Sequence, residues 1–239
     1  LYVFSCGIAA KQMADKVNAR IVSNGVKGEV HTYSVTDYAE SVINAASGVY
    51  SDKAVNAVKA MLNYGTAAQQ YFGYNTDNPA NSIMTDDDKN MDMVGFNTYT
   101  GKLVNADSVS GISYYGSSLV LESDTILRNY FELSDGYSID NYTFYVKDKD
   151  GNKNIIAPQK TDASLYYIDI SNVKAYELAD NVNIYVQKNG DSEDKIMLEY
   201  GAYVYARYVD KYLDNTALKN LMTAMYHYCN AATEYANIY

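Results

Sequence analysis

The chain has 239 residues, enough for one large or two modest domains, and 48% of them are hydrophobic, enough for a packed core. Its formal net charge of −10, with scattered Lys and Arg, argues against nucleic acid or anionic membrane as partners, and no apolar run reaches the length of a membrane span. It has 27 Tyr, 5 Phe and no Trp, which implies an amphipathic core or a recognition surface, because tyrosine joins a flat apolar face to a hydroxyl.

Residues 1–5 read as a buried strand. Val3-Phe4-Ser5-Cys6-Gly7 has some likeness to a lipoprotein cleavage site, but it falls on Ile168-Asp169-Ile170-Ser171-Asn172 of a later interior strand and is read as strand. No signal peptide is recognised. Val17, Ala19 and Ile21 alternate with Asn18, Arg20 and Val22 as a half-buried strand, Asn24-Gly25 marks a hairpin turn, and Val30 to Tyr33 returns. Ser34-Val35-Thr36-Asp37 opens a helix through about Ala46 with a capping box. Ser51 caps a long helix through Tyr74, on which Val58, Met61, Gly65, Ala68 and Phe72 recur at helical spacing.

Much of this returns near the C-terminus. Met61 to Tyr71 is echoed by Met225 to Tyr235, with Tyr64 and Tyr71 on Tyr228 and Tyr235. Gly7 to Asn18 matches Asn172 to Asn183, Asn24-Gly25 falls on Asn189-Gly190, and Tyr38-Ala39 with Val42 falls on Tyr205-Ala206 with Val209. Residues 1–75 and 165–239 are therefore expected to be two copies of one unit: strand, turn, strand, hairpin, strand, helix, helix. Asn215 caps the second long helix, expected to run to Ile238. The first copy lacks the strands that precede the second, so a piece of a longer protein is expected.

Residues 77–108 form a polar connector containing Pro79. Its run Asp86-Asp87-Asp88 reads as a helix N-terminus with a solvated charge cluster rather than a cation site. Residues 109–163 have no counterpart in the first copy and read as β: Leu127, Asn129, Phe131 and Leu133 alternate with their neighbours, as do Tyr142, Phe144 and Val146. Asp148-Lys149-Asp150-Gly151-Asn152 resembles the start of a calcium loop, but Gln159 stands where the last acidic ligand is needed, so a hairpin is the better reading. The expected fold is α+β with an internal duplication: a first lobe over 1–76, the connector over 77–108, and a second lobe over 109–239 holding a β-sandwich or sheet and a helix pair.

Groups for catalysis are not assembled in any recognisable pattern. His31 and His227 lie at non-equivalent positions without metal-ligand spacing, and no nucleophile elbow, phosphate loop or dinucleotide fingerprint occurs. Cys6 and Cys229, also non-equivalent, read as small buried hydrophobes. No enzyme activity, metal or cofactor is expected, although carboxylates are numerous enough that a glycosidase pair is an alternative.

The repeat offers a way to sort tyrosines. Tyr2/Tyr167, Tyr33/Tyr200, Tyr38/Tyr205, Tyr64/Tyr228 and Tyr71/Tyr235 have partners and are assigned to the fold. Tyr176, Tyr185, Tyr203 and Tyr208 replace Lys11, Arg20, Thr36 and Ser41, so they are expected at exposed positions. With Phe72, Tyr74, Tyr114, Tyr115, Tyr130 and Tyr145 they make the candidate ligand-binding set, Tyr114-Tyr115 being placed before a Gly-Ser turn. Aromatic faces pair with sugar C–H faces, and an acidic, Tyr- and Asn-rich module suits neutral polysaccharide better than a protein target.

Met61-Leu62-Asn63-Tyr64-Gly65-Thr66-Ala67-Ala68-Gln69-Gln70-Tyr71-Phe72 with Tyr74 to Asn78, together with Gly7-Ile8 through Asp15, Tyr33-Ser34-Val35 and Tyr38-Ala39, resembles modules of large secreted proteins from gut Gram-positive anaerobes. Within that group the chain is similar to the starch adherence system proteins of ruminococcal amylosomes. The resemblance implies an extracellular, cell-surface-associated module, alongside dockerins and other modules of a larger protein, that holds α-1,4-glucan in a groove by aromatic residues. It carries over no individual binding residue. A structural or adhesive spacer is the main alternative.

Overall fold

The computed structural model describes residues 7–104, 109–122, 124–191 and 195–237; Tyr2 and Cys6 lie outside the described residues. The fold is mixed α+β with antiparallel sheets. Five α-helices are described: α1 (Val35–Ile43), α2 (Asp52–Phe72), α3 (Asp86–Lys89), α4 (Ala202–Tyr212) and α5 (Thr216–Ala236). Two compact units form, one from residues 1–94 with 215–239 and one from 95–214. This division differs from the expected lobes. The C-terminal helix α5 groups with α2, so α4 and α5 do not form a helix pair within one lobe, and the connector is shared between the units.

In the first unit, β1 (Val17–Ala19) pairs with β4 (His31–Tyr33), and β2 (Val22–Ser23) with β3 (Val26–Lys27) across Asn24-Gly25. Both turn residues have positive φ, 51° and 79°, as a two-residue hairpin turn requires. The N-terminus of α1 carries the expected capping box: Asp37 N–H donates to Ser34 Oγ at 3.0 Å, and Ser34 N–H to Asp37 Oδ2 at 2.8 Å. Ser51 and Asn215 cap α2 and α5, receiving N–H bonds from Ala54 and Leu218. α2 stops at Gly73, whose φ of 60° closes the helix with a left-handed residue.

α2 and α5 run antiparallel. Tyr64 stacks on Tyr228 at 5.7 Å near their midpoints, while Ala57 and Val58 of α2 share a cavity wall with Ala232 and Tyr235 of α5. Leu62, Ala68, Leu221, Met222 and Met225 are sealed in this core. Gly65 has a packing reason: an added Cβ would stand 2.7 Å from Met13 Sδ, 3.1 Å from Ala80 Cβ and 3.2 Å from the Ala10 carbonyl. The small residue lets the 3-10 turn Ala10–Gln12 and the segment after Pro79 close on the helix.

The polar side of α2 holds residues 75–90 in place. Asn63 donates to the Asp88 carbonyl, Asn81 donates to Asn63 Oδ1, and Gln69 accepts from Ala80 N–H while donating to the Asn78 carbonyl. These buried amides satisfy one another and the backbone they pin, so the polar segment is docked and not a free linker. Asp86 to Asp88 open α3 behind the Thr85 cap, and Asp88 pairs with Lys59 at 2.8 Å. On α5, His227 Nε2 stands 2.9 Å from the Asp92 carbonyl, and Cys229 is buried.

The second unit is a sandwich of two sheets. One has the order β10-β11-β7-β6: Gln159–Lys160, Tyr166–Ile170, Thr125–Leu133 and Ile112–Leu121. The other is β5-β13-β12-β8-β9: Lys102–Leu103, Ile196–Tyr200, Val182–Lys188, Tyr142–Lys147 and Lys153–Ile156. Ile112, Phe131 and Ile168 from the first meet Phe144, Ile184, Val186 and Met197 from the second in one core. Val204 and Tyr205 of α4 pack against it. Part of the expected connector thus becomes an edge strand, β5 on β13. Asp148 closes the β8–β9 hairpin by accepting from Asp150 N–H, Asn152 N–H and Asn152 Nδ2, with Gly151 at φ 84°. No group of three His, Cys, Asp or Glu suited to a metal occurs among the described residues.

Part of the order of elements recurs, although the β2–β3 hairpin stands between β1 and β4 and no strand is described between β12 and β13. A 3-10 turn (Ala10–Gln12, then Ala175–Glu177) leads to an antiparallel strand pair, β1 with β4, then β12 with β13. A shorter and a 21-residue helix follow, α1 and α2, then α4 and α5. Even the turn closure recurs: Gln12 Oε1 accepts from Ala9 N–H, and Glu177 Oε2 from Lys174 N–H.

Candidate functional site: a tyrosine-walled groove on the sandwich unit

A cavity of about 510 Å³ opens between β6 and α4. Tyr114, Tyr115, Gly116 and Ser117 of β6 form one wall. Tyr205, Arg207, Tyr208 and Tyr212 of α4 form the other, with Tyr200 and Val204 at the base.

Two local features build these walls. In β6 the pairing to β7 slips: Tyr114 faces Phe131 and Gly116 faces Tyr130, leaving Tyr115 as the extra residue of a β-bulge. A bulge re-aims a side chain, and Tyr115 is 64% exposed. The expected Gly-Ser turn after Tyr114-Tyr115 is therefore replaced by a bulge in continuous strand, because β7 supplies partners through Leu121. On α4, Ala202, Ala206 and Val209 are sealed against the unit, whereas Tyr205, Tyr208 and Tyr212 follow at three- and four-residue steps along one side of the helix. Tyr208 and Tyr212 are 51% and 62% exposed with ring centres 5.4 Å apart.

The hydroxyls have defined roles. Ser117 Oγ donates to the buried Asn129 Oδ1 at 2.6 Å, so its partner Tyr114 Oη, 2.7 Å away, must be the donor to Ser117. Burial raises the phenols of Tyr114 and Tyr200 above their ordinary value and keeps them protonated. A hydrogen bond from Lys211 lowers that of the exposed Tyr212. Arg207 is half-buried, and its Nε–H is shut off from solvent without a hydrogen-bond partner among the described residues.

Three of the ten sequence-selected aromatics meet here: Tyr114, Tyr115 and Tyr208. The other seven do not line this groove. Two correct the expectation outright. Tyr203 is 1% exposed, packed edge-on against Tyr99 and Phe96 at 4.8 and 5.6 Å. Tyr145 is fully buried, stacked at 5.1 Å and 8° on its cross-strand neighbour Tyr185, with Lys153 over its ring. Tyr185 is half-buried by that stack, with Lys147 4.8 Å from its centre. Tyr130 is half-buried beside Tyr167, next to the Arg128–Asp169 pair. Tyr176 is 40% exposed on its 3-10 turn. In the first unit, Phe72 lies against Tyr71 and under Lys11, and Tyr74 donates to Asp15 Oδ2 at 2.6 Å.

Sorting by repeat partner fails in the other direction too. Tyr205 has a partner yet lines the groove, and Tyr33 and Tyr38 have partners yet are exposed, whereas Tyr200, at the base of the groove, is buried in the sandwich core as its pairing implies. Tyr212 and Arg207 were missed altogether. The signal for Tyr212 was the Tyr205-Tyr208-Tyr212 spacing; nothing in the sequence singles out Arg207. No protein-family model matches the chain, and neither the curated proteins nor the solved structures yield a match.

Proposed function

We propose that the chain is a non-catalytic carbohydrate-binding module and that the groove between β6 and α4 is its glycan site. One observation carries the reading: three exposed tyrosines, Tyr115, Tyr208 and Tyr212, wall an open groove whose remaining polar groups are hydroxyls and one guanidinium. Such rings stack on the C–H faces of pyranoses, and the hydroxyls and guanidinium bond sugar oxygens. No carboxylate, histidine or thiol is among the lining side chains, so the groove is suited to holding a sugar rather than to acid–base chemistry. Starch or another α-1,4-glucan is the favoured ligand, consistent with the resemblance to starch adherence proteins and with an acidic chain that repels polyanions.

The recurring order of elements supports an internal duplication spanning residues 1–75 and 165–239. An extracellular, surface-associated setting alongside other modules follows from the same reading. No described helix is long and apolar enough to cross a membrane. A spacer or adhesive role is the second reading, favoured by the rings of the candidate set that lie apart from the groove, Tyr145 and Tyr185 above all. Affinity electrophoresis in gels carrying amylopectin, xylan or hydroxyethylcellulose separates the two: retardation in amylopectin that disappears in Tyr208→Ala with Tyr212→Ala supports the groove, and unretarded migration in all three gels rejects it.

A further inference from the structure

The amides on the polar side of α2 leave hydrogen-bonding capacity over, and it lines a second cavity, of about 220 Å³, within the first unit. The walls come from α2, α5 and the residues either side of α3. Asn63 Nδ2 donates to the Asp88 carbonyl at 2.8 Å, which leaves Asn63 Oδ1 for Asn81. Asn81 must therefore present its Nδ2 there, at 2.8 Å, and its Oδ1 is the end left over. Asn81 is 9% exposed, yet Oδ1 is not sealed: the side-chain atom both enclosed and unpartnered among the described residues is Arg207 Nε, in the other unit. Thr66, 8% exposed, accepts the Asn81 backbone N–H at 3.0 Å and keeps its own proton to give. An acceptor and a donor thus stand on two lining residues that are bonded to each other. Ala67, Met91 and Met93 supply an apolar patch. Lys89, the one charged residue among those described in the lining, is paired with Asp86 at 3.5 Å.

We infer that this cavity is a site for the acetamido group of an N-acetylated amino sugar, separate from the tyrosine groove and independent of it. An acetamido group carries one N–H, one C=O and one methyl. Its N–H answers Asn81 Oδ1, its C=O answers the Thr66 hydroxyl, and its methyl lies on the thioethers, which adapt to its shape. A plain hexose offers hydroxyls to both polar groups but nothing to the apolar patch, and no aromatic ring is among the described lining residues for its C–H face to stack on. A charged ligand finds no free counter-charge there. The volume lies below the roughly 300 Å³ at which cavities begin to take drug-sized ligands, so a single sugar residue is the unit recognised.

Methionine-methyl NMR on the full chain tests this. The chain has eight methionines, and Met91→Leu and Met93→Leu assign the two signals of interest. N-acetylglucosamine is expected to shift both saturably. N-formylglucosamine, which lacks the methyl, should bind about fourfold more weakly, and glucose about tenfold more weakly or worse. Thr66→Val removes the donor and should weaken N-acetylglucosamine about tenfold, whereas Thr66→Ser should bind it as wild type does. If Thr66→Val does not fold, because the Asn81 N–H loses its acceptor, the three sugars on wild type decide alone. Unmoved Met91 and Met93 signals overturn the inference. So does glucose or the formyl sugar binding as tightly as N-acetylglucosamine, or undiminished binding by Thr66→Val. None of these results bears on the groove between β6 and α4, whose polysaccharide reading stands or falls by its own gels.

Discussion

α1 and α4 each precede a 21-residue helix, yet they wall very different cavities: α4 contributes Tyr205, Arg207, Tyr208 and Tyr212 to one of about 510 Å³, and α1 only Tyr38 and Val42 to one of about 220 Å³. Their buried stripes agree: Ala39 and Val42 on α1, Ala206 and Val209 on α4, all at most 2% exposed. Their other faces do not. Glu40 and Ser41 stand where α4 places Arg207 and Tyr208, and α1 ends at Ile43, before any position equivalent to Tyr212. Packing constrains one stripe of a helix and leaves the remainder free to differ. On α4 that freedom puts two rings and a guanidinium opposite the bulge at Tyr115; on α1 it leaves Glu40 and Ser41, with Tyr38 as the one exposed ring.

The largest effect should come from erasing this difference. Tyr208→Ala with Tyr212→Ala makes the outer face of α4 resemble that of α1 and should lower glycan affinity by about 100-fold, two stacked rings each contributing on the order of 1–2 kcal/mol. Ser41→Ala on α1 should leave affinity unchanged. Calorimetry on both variants checks the pair, and an equal response would mean that the groove is not where the ligand sits.

The helix starts differ as well. α1 begins with a side-chain cap from Ser34; α4 begins at Gly201 with no such cap. A Cβ on Gly201 would stand 2.5 Å from the Asp180 carbonyl and 2.6 Å from Asn181 Oδ1. The turn at Asp180 leaves no room for a capping side chain. Gly201→Ala should therefore destabilise the protein by about 3 kcal/mol through overpacking against backbone. Ser34→Ala should cost about 1 kcal/mol, and Ser34→Gly only a few tenths. Urea unfolding of the three variants orders them; Gly201→Ala milder than Ser34→Ala would contradict the close approach.

What the sequence made legible was local. Ser34, Ser51 and Asn215 as caps, Asn24-Gly25 as a turn, and the alternation in β7 and β8 each depend on neighbours a few residues away. What it hid was long-range partnership. Thr36, set against Tyr203 by the sequence match, bonds the Met13 carbonyl near the surface, but Tyr203 meets Phe96 and Tyr99, from a stretch that the match does not cover. A polar counterpart says nothing about burial once the neighbours differ. The same holds for Tyr145, whose burial depends on its stack with Tyr185 in the neighbouring strand and on Lys153 beyond it. The bulge that turns Tyr115 outward is a property of register with β7, which composition does not encode.

Acid should separate the two helix starts by the smallest margin. Asp37, third residue of α1, bonds Lys16 Nζ at 2.7 Å and closes the box with Ser34; its α4 counterpart is Val204, which does not titrate. The Lys16 bond first, and then the Ser34 hydroxyl, hold the Asp37 carboxyl below its ordinary value. A carboxylate with a lowered folded-state value stabilises the protein fully above its unfolded value of about 4, and the contribution is lost as pH falls through the lower folded value. Wild type should therefore lose stability below about pH 4, and Asp37→Asn should flatten that part of the profile while leaving neutral-pH glycan binding intact. Val204→Ala should lower stability by the same amount at pH 7 and at pH 3, because an apolar contact carries no proton. Urea midpoints at the two pH values compare the variants directly, and an unchanged acid slope in Asp37→Asn would show that other carboxylates govern the acid limb.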